Sequence, residues 1–226
     1  IELQMKKLKI KKKIRLITLE NLKKNYLDNK KINLLNVSYN QKKAFDKISN
    51  KSNKYIKESF DIALKILNQK ITNKLINGPI SKKFFLKKKY LGITEYLAYK
   101  TGTKNYAMLI YNKNLSVCPL TTHLPLKKVS KKINKNIIRK KIKLIDIFYK
   151  KILKLRPKMA ITGLNPHCES IDNFNEDEKI ISPTIKSLNR LNYKISGPFS
   201  ADTIFLKNNR KKYNVIIGMY HDQVLT

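Results

Sequence analysis

The chain contains three histidines, and each one follows a short apolar run of strand length. They are, with the preceding run in parentheses, His123 (115–120), His167 (158–162) and His221 (215–219). In open α/β sheets, ligands bind beyond the carboxyl ends of the strands. Three neutral imidazoles on such loops, with one coordination position left open, would suit a catalytic divalent ion such as zinc. The spacing is not a compact zinc signature, so three hydrogen-bonded structural histidines remain the alternative.

Two acidic side chains could support a metal site of this kind. Asp222 directly follows His221, and Asp202 is the second candidate. A carboxylate beside a ligating histidine fixes the tautomer and the orientation of the ring. Cys168, next to His167, could be a soft ligand, although a small structural residue is the simpler interpretation.

Two glycine-containing turns could bind an anionic group. The segment 77–82 (NGPISK) resembles a phosphate-binding turn between a strand and a helix, but it lacks the full Walker pattern and the GxGxxG pattern. An ordinary turn is its alternative interpretation. The segment 92–95 (GITE) offers the Thr94 hydroxyl and backbone N–H groups near a helix start, which suits an anion. A helix N-cap is the alternative role for Thr94.

The elements that must position these residues alternate along the chain. Helical spacing of apolar residues predicts helices over 52–69, 80–90, 94–100, 134–155 and 177–192. Short apolar runs predict strands at 31–38, 75–76, 106–111, 115–120, 158–162 and 215–219. Continuous apolar strands between helices are typical of an α/β fold with a largely parallel sheet.

The net charge of +35 comes almost entirely from lysines that are spread over the whole chain, alongside much Ile and Asn. This pattern favours a general compositional drift. Nucleic-acid binding and a field that attracts an anionic substrate are the alternatives. Arginine, the residue best suited to bidentate phosphate recognition, is scarce.

The remaining composition indicates the class of protein. Two cysteines are too few for a disulfide framework. No apolar stretch approaches the roughly 18 residues of a membrane span, and the basic N-terminus lacks the apolar h-region of a signal peptide. The expected protein is cytoplasmic, with no membrane or nucleic-acid partner.

Taken together, the motifs resemble the 4-hydroxythreonine-4-phosphate dehydrogenase family of vitamin B6 synthesis. The resemblance covers roughly residues 14–226 and is weak before residue 75. The matching segments are INGPISKK (76–83), GITEYLA (92–98), TTHLPLKKVS (121–130), ITGLNPHCES (161–170), GPFSADTIF (197–205) and GMYHDQVLT (218–226).

This resemblance implies a fold like that of the isocitrate and isopropylmalate dehydrogenases, with two α/β subdomains around a cleft. The first subdomain would comprise roughly residues 1–90 and 200–226, and the second residues 91–199. The family works as a homodimer whose active sites lie at the subunit interface. The resemblance also implies a fragment that lacks both ends, whose own activity is open.

The resemblance further implies site residues and cofactors. A divalent metal, Zn, Mg or Co, would be held by His123, His167 and His221. Catalytic roles fall to Asp202, Asp222 and Lys82, and substrate binding falls to Thr94. The implied reaction is NAD- or NADP-dependent oxidation of 4-hydroxythreonine 4-phosphate, followed by decarboxylation to 3-amino-2-oxopropyl phosphate.

The sequence departs from the family at several points. Ile93 stands where the family usually has a histidine, and it cannot donate a side-chain hydrogen bond to a phosphate. The family's N-terminal GDPxGIGPE-type segment is not found, and the later substrate-binding lysine, asparagine and arginine are not in the chain. Three alternatives therefore remain open: a related metal-dependent hydroxy-acid dehydrogenase with another substrate, a basic nucleic-acid-binding protein, and a non-catalytic remnant.

Overall fold

The chain divides into two compact units, Ile1–Tyr96 and Leu97–Thr226. The computed structural model describes residues 1–22, 27, 30–87 and 89–225. Among the described residues, none of the helices has the length and the apolar character that crossing a bilayer requires.

The first unit combines two parallel strands with helices. Its elements are α1 (Glu2–Lys7), β1 (Lys13–Ile17), β2 (Lys31–Leu35), α2 (Asn53–Asn68) and the start of α3 (Ile93–Lys100). Strand β1 pairs with β2 in parallel. The predictions of a strand at 31–38 and of helices at 52–69 and 94–100 are confirmed.

Aromatic packing contributes to the core of this unit. The Phe60 ring, on the buried face of α2, lies 5.4 Å from the Tyr96 ring and 6.1 Å from the Phe85 ring, measured between ring centroids. Tyr96 is buried within α3. These contacts fix the first turn of α3, which contains Thr94.

The segment between α2 and α3 is less regular than its sequence pattern predicts. No strand forms at 75–76, and the predicted helix over 80–90 is reduced to a π-helical turn, Lys82–Leu86. Lys87, which follows that turn, has a left-handed backbone with φ 47°, and this conformation ends the turn. Lys88, inside the predicted helix, lies outside the described residues.

The second unit is built on a four-stranded parallel sheet, as far as the described residues show. Its strands are β3 (Ser116–Pro119), β4 (Met159–Thr162), β5 (Ile195–Phe199) and β6 (Val215–Gly218). The strand order is β3-β6-β4-β5. Its helices are α4 (Lys135–Ile152), α5 (Ser182–Arg190), α6 (Ala201–Ile204) and α7 (Lys207–Arg210). A π-helical turn, Asp177–Ile181, leads directly into α5.

Both faces of this sheet are buried, which explains the uninterrupted apolar residues of its central strands at 159–161 and 215–217. Ile161 and Ile217 belong to the large core that includes apolar residues of α4 and α5. Their neighbours Ala160 and Ile216 point to the opposite face and pack with Ile204 of α6. The predicted parallel α/β sheet is therefore confirmed in this unit.

Two sequence expectations differ from the structure in this unit. Residues 200–226, expected with the first subdomain, lie in the second unit because β6 is hydrogen-bonded between β3 and β4. The predicted strand at 106–111 forms only one antiparallel bridge, between Ile110 and Val117. The subdomain division of a longer protein stays a prediction.

Candidate functional site

The three histidine loops leave the same edge of the second unit's sheet. His123 follows β3, His221 follows β6 and His167 follows β4, and these three strands are neighbours in the order β3-β6-β4. Because the strands are parallel, their carboxyl ends share one edge. The predicted location of the histidines at strand exits is confirmed.

The rings of two of the histidines lie close together. The ring centroids of His123 and His221 are 5.9 Å apart, and both side chains are half-buried. A metal bound to a ring nitrogen at about 2.0–2.1 Å lies about 3.2 Å from the ring centroid, so two rings on one tetrahedral ion have centroids about 5 Å apart. The pair has the chemistry of a divalent-ion site, and its 5.9 Å separation is slightly wider than that spacing.

The carboxylate of Asp222 sets the tautomer of His221. Asp222 Oδ1 lies 2.7 Å from His221 Nδ1, which places the ring proton on that nitrogen. The lone pair of the ring is then on Nε2, the nitrogen that can bind a metal. Asp222 thus has the geometry expected of a carboxylate that orients a ligating histidine.

His167 is not brought to this pair. Its side chain is exposed, and its backbone is left-handed with φ 55°, as is that of Cys168 with φ 65°. Within the part of the chain that the structure describes, no group of three His, Cys, Asp or Glu side chains is placed to hold a metal. The structure therefore brings the rings of His123 and His221 together but not that of His167, and the role of all three as metal ligands stays a prediction.

A buried carboxylate holds the loop that contains His167. Asp177, only 1% exposed, accepts hydrogen bonds from Leu164 N at 2.8 Å and from Asn165 N at 3.1 Å. The Asn165 side-chain amide donates a third bond to the same carboxylate at 3.1 Å. Gly163 is required beside this carboxylate, because a Cβ there would lie 2.8 Å from Asp177 Oδ1. Sequence analysis missed Asp177, whose bonds span 12 or 13 residues.

Gln223 is a second residue that sequence analysis missed. Its Oε1 accepts hydrogen bonds from the Thr162 hydroxyl at 2.8 Å and from Met219 N at 2.7 Å. Its Nε2 donates to Gly163 O at 2.8 Å. One side chain thereby joins the exits of β4 and β6. The only signal in the sequence is its position in the YHDQ motif.

The two predicted acids line one cavity of about 570 Å³. Asp202 and Asp222 share it with Tyr220 and Gln223. The Ser200 hydroxyl donates to Asp202 at 2.5 Å and lowers the pKa of that carboxyl, and the nearby His167 lowers it further. Asp202 is therefore a carboxylate at neutral pH, able to accept a proton or to bind a cationic group.

The surroundings of the thiol beside His167 disfavour its thiolate form. Burial and the charge of Asp177 both raise the pKa of Cys168. A raised pKa keeps the sulfur protonated, whereas the thiolate is the form that binds metals. The interpretation of Cys168 as a small structural residue is favoured, and its sulfur packs against Gly163.

The remaining predicted site residues, Lys82 and Thr94, lie in the first unit. Lys82 is exposed and begins the π-helical turn, with Ser81 Oγ accepting a hydrogen bond from Phe84 N. Thr94 is half-buried inside α3, which begins at Ile93, so Thr94 is not the N-cap of that helix. The turn at 77–82 does not lead into a regular α-helix and therefore lacks the helix N-terminus of a phosphate site.

Comparison with known proteins identifies relatives of this chain. The family profile described as pyridoxal phosphate biosynthetic protein PdxA matches residues 2–226. A 4-hydroxythreonine-4-phosphate dehydrogenase of Sulfurihydrogenibium sp. is 41% identical over 72% of this chain and 51% of its own length. A D-threonate 4-phosphate dehydrogenase of Pectobacterium atrosepticum is 33% identical over 59% of this chain and 41% of its own length.

Solved structures share the fold. The crystal structure of a 4-hydroxythreonine-4-phosphate dehydrogenase from Klebsiella pneumoniae superposes with a TM-score of 0.82 at 23% identity. The match covers 98% of this chain and 69% of that chain. These neighbours have the isocitrate/isopropylmalate dehydrogenase-like fold, so the predicted fold class is confirmed.

The chain spans about half the length of the curated relatives it matches. Even so, the family profile extends over nearly every residue, from the first unit to the YHDQ motif. The chain belongs to the PdxA family of pyridoxal phosphate biosynthetic proteins.

Proposed function

We propose that the protein is a cytoplasmic, metal-dependent dehydrogenase that works as a homodimer with its active sites at the subunit interface. Its substrate is 4-hydroxythreonine 4-phosphate, whose secondary alcohol is oxidised with NAD or NADP as the hydride acceptor. The resulting 3-keto acid loses CO2 and gives 3-amino-2-oxopropyl phosphate. This step belongs to the synthesis of pyridoxal phosphate, as the family assignment suggests.

One observation carries the proposal. The loops after three neighbouring parallel strands each contain a histidine, and two of these rings lie 5.9 Å apart, with Asp222 hydrogen-bonded to one of them. The edge formed by the carboxyl ends of parallel strands is where α/β enzymes bind their ligands. The family assignment favours a dehydrogenase at this edge over a basic nucleic-acid-binding protein.

The histidines have the role of metal ligands in this proposal. His123 and His221 are the pair within one subunit, and His167 is the third ligand. We assign it to the interface between two copies, since within one chain it stands apart from the other two. A divalent ion, Zn, Mg or Co, would supply the positive charge that eases loss of the alcohol proton and stabilises charge during decarboxylation.

The other predicted residues act on the substrate. Asp202 and Asp222 face one cavity, where a carboxylate can bind the substrate ammonium group or accept a proton. Lys82 contributes a cation to catalysis, and Thr94 contributes a hydroxyl for substrate binding. The chain contains no GxGxxG pattern, so none of its residues is assigned to the nicotinamide cofactor.

A second substrate is supported by a specific comparison. The relative from Pectobacterium atrosepticum is named for D-threonate 4-phosphate, which has a hydroxyl where 4-hydroxythreonine 4-phosphate has an amino group. Ile93 also departs from the family's usual histidine at the Thr-Glu pair. Initial rates of NADH and NADPH formation with each substrate would separate the two candidates.

Metal content tests the proposed site directly. Elemental analysis of the purified protein should find about one divalent ion per subunit, because a site with three protein ligands and one open position is typical of catalytic zinc. The His167→Ala variant should lose that ion. The Asn173→Ala variant, exposed in the same loop, should keep it.

Size-exclusion chromatography with light scattering should show dimers of all three proteins. A folded dimer that takes up no zinc, cobalt or magnesium would contradict the proposed mechanism. Retention of the ion by His167→Ala would remove that residue from the ligand set. A monomer that binds a full equivalent of metal would contradict a site shared between subunits.

A further inference from the structure

The exits of the three histidine strands are connected by one hydrogen-bonded network. The Thr121 hydroxyl, in the loop that leads to His123, donates to Met219 O at 2.7 Å. Met219, two residues before His221, donates its N–H to Gln223 Oε1 at 2.7 Å. Gln223 then continues the network to the loop of His167 through Gly163.

Among the described side chains of this network, only that of Gln223 makes hydrogen bonds both at the end of β4 and at the end of β6. Its two amide atoms make three hydrogen bonds, to Thr162, to Gly163 and to Met219. The Thr162 hydroxyl is fully buried, with 0% of the residue exposed. Leaving a buried polar group without its hydrogen-bond partner costs free energy. Movements of the loops that break these bonds are therefore unfavourable.

The backbone around Gln223 is shaped to admit its amide group. A Cβ on Gly218 would lie 3.2 Å from Gln223 Oε1 and 2.5 Å from Val224 Cγ1. Glycine at this position therefore leaves room for the side chains of residues 223 and 224 to fold back over the end of β6. The orientation of the Gln223 amide is fixed as well, because Oε1 faces two donors and Nε2 faces a carbonyl.

We propose that Gln223 is a positioning residue, which fixes the loop of His167 relative to the loop of His221. This inference rests on the proposed function, in which these histidines bind a divalent ion. Gln223 itself touches neither histidine through the contacts described, and it acts through the backbone of both loops. Removing a supporting hydrogen bond around a metal site typically lowers metal affinity about 10–100-fold.

The test compares Gln223→Met with the unaltered protein in two measurements. Methionine has a similar length but makes none of the three hydrogen bonds. Hydrogen exchange of the metal-free protein should become faster in segments 163–168 and 219–223, while α4 stays protected. Titration with Co²⁺, followed by its visible absorption, should give a dissociation constant about 10–100-fold higher than that of the unaltered protein.

Two threonine variants keep the test decisive if Gln223→Met folds poorly. Thr162→Val removes only the hydroxyl that donates to Gln223, and its Co²⁺ dissociation constant should rise about 2–10-fold, as expected for one neutral hydrogen bond. Thr184→Val is the matched control, because Thr184 is equally buried and donates to Ile180 O within the helical segment. The control should change neither the exchange of the two loops nor the Co²⁺ affinity.

The outcomes separate this inference from the proposed function. Unchanged exchange in both segments of Gln223→Met would overturn the positioning role, whatever the metal result. Faster exchange with unchanged Co²⁺ affinity would overturn it as well, because the loops would move without consequence for the ligands. If the loops exchange faster but the unaltered protein binds no Co²⁺, the positioning of the loops is supported and the metal-dependent function fails.

Discussion

The carboxylate of Asp177 should be essential for the stability of the loop that contains His167, and Asp177→Asn tests this. The carboxylate accepts three hydrogen bonds, from the backbone N–H groups of Leu164 and Asn165 and from the Asn165 side chain. Asparagine offers one acceptor oxygen in place of two. Its NH2 group would face an N–H donor, so at least one buried donor loses its partner.

The structure sets the size of the effect. A hydrogen bond to a charged group contributes about 1.5–3 kcal/mol, and a buried donor left unpaired costs about 1–3 kcal/mol. Since some of these bonds survive in the asparagine variant, we expect the free energy of unfolding to fall by about 2–4 kcal/mol. With a urea dependence of about 2 kcal/mol/M, the unfolding midpoint should decrease by about 1–2 M.

Urea unfolding followed by far-UV circular dichroism measures this change. Asp172→Asn is the matched control: it removes the same charge from an exposed side chain in the same loop. The control should stay within about 0.5 kcal/mol of the unaltered protein. Amide exchange at Leu164 and Asn165 provides the local measurement, because both N–H groups donate to the carboxylate and at least one of them loses its acceptor.

Equal stability of Asp177→Asn and Asp172→Asn would refute this reasoning. So would unchanged exchange at Leu164 and Asn165, since those amides would then be protected by something other than the carboxylate. A double-mutant cycle with Asn165→Ala adds a further check. Direct partners should show a coupling of about 0.5–3 kcal/mol.

Two further predictions concern neighbouring residues. Gly163→Ala should lower the free energy of unfolding by about 1–3 kcal/mol in urea titrations, because the added Cβ would lie 2.6 Å from Cys168 Sγ. Gly78→Ala is the control: its Cβ would have no atom within 4 Å, and the free energy of unfolding should change by less than about 0.5 kcal/mol. Ser200→Ala should raise the pKa of Asp202 towards its ordinary value, measured by carboxyl NMR titration. The folded-state pKa of Asp202 is depressed, so its carboxylate stabilises the folded state above the unfolded-state pKa. This stabilisation is lost as the pH falls through the folded-state pKa.

The central part of the second unit could be predicted because its strands are buried on both faces. The runs at 158–162 and 215–219 contain uninterrupted apolar residues at 159–161 and 215–217, and both form central strands with a histidine loop beyond their carboxyl ends. A long amphipathic segment could be predicted as well. The predicted helix at 134–155 is α4, Lys135–Ile152.

Strand β5 escaped prediction because of its composition. Its sequence, ISGPF, contains a glycine and a proline, which usually indicate a turn. The strand lies at the edge of the sheet, where a missing N–H is tolerated. Gly197 is required there, since a Cβ would lie 2.4 Å from Ile161 O. Close approach of two backbones leaves no periodic signal in a sequence.

The opposite error occurred at 106–111, where an apolar run predicted a strand. In the structure, Ala107 and Leu109 pack against the core of the second unit, and only Ile110 makes a backbone bridge. Burial by side-chain packing and burial by strand pairing produce the same apolar pattern. Short runs of this kind therefore cannot be distinguished by periodicity.

The positions of the three histidines at strand exits were predicted, and their role as metal ligands stays a prediction, whereas the residues that orient the loops were missed. Each histidine motif contains one histidine and one polar side chain bonded to another strand exit or to a buried carboxylate. These side chains are Thr121 in TTHL, Asn165 in GLNPH and Gln223 in YHDQ. Their partners lie 12 to 98 residues away in the sequence, so only the fold reveals them.

Under the proposed function, this pairing accounts for motifs that are longer than a set of three metal ligands would require. A histidine at a strand exit can rotate and shift with its loop, and a displacement of about 1 Å is enough to spoil a metal site. The polar partner in each motif restricts that movement through the backbone. A chain that kept the three histidines but lost these partners should therefore bind metal more weakly than one with complete motifs.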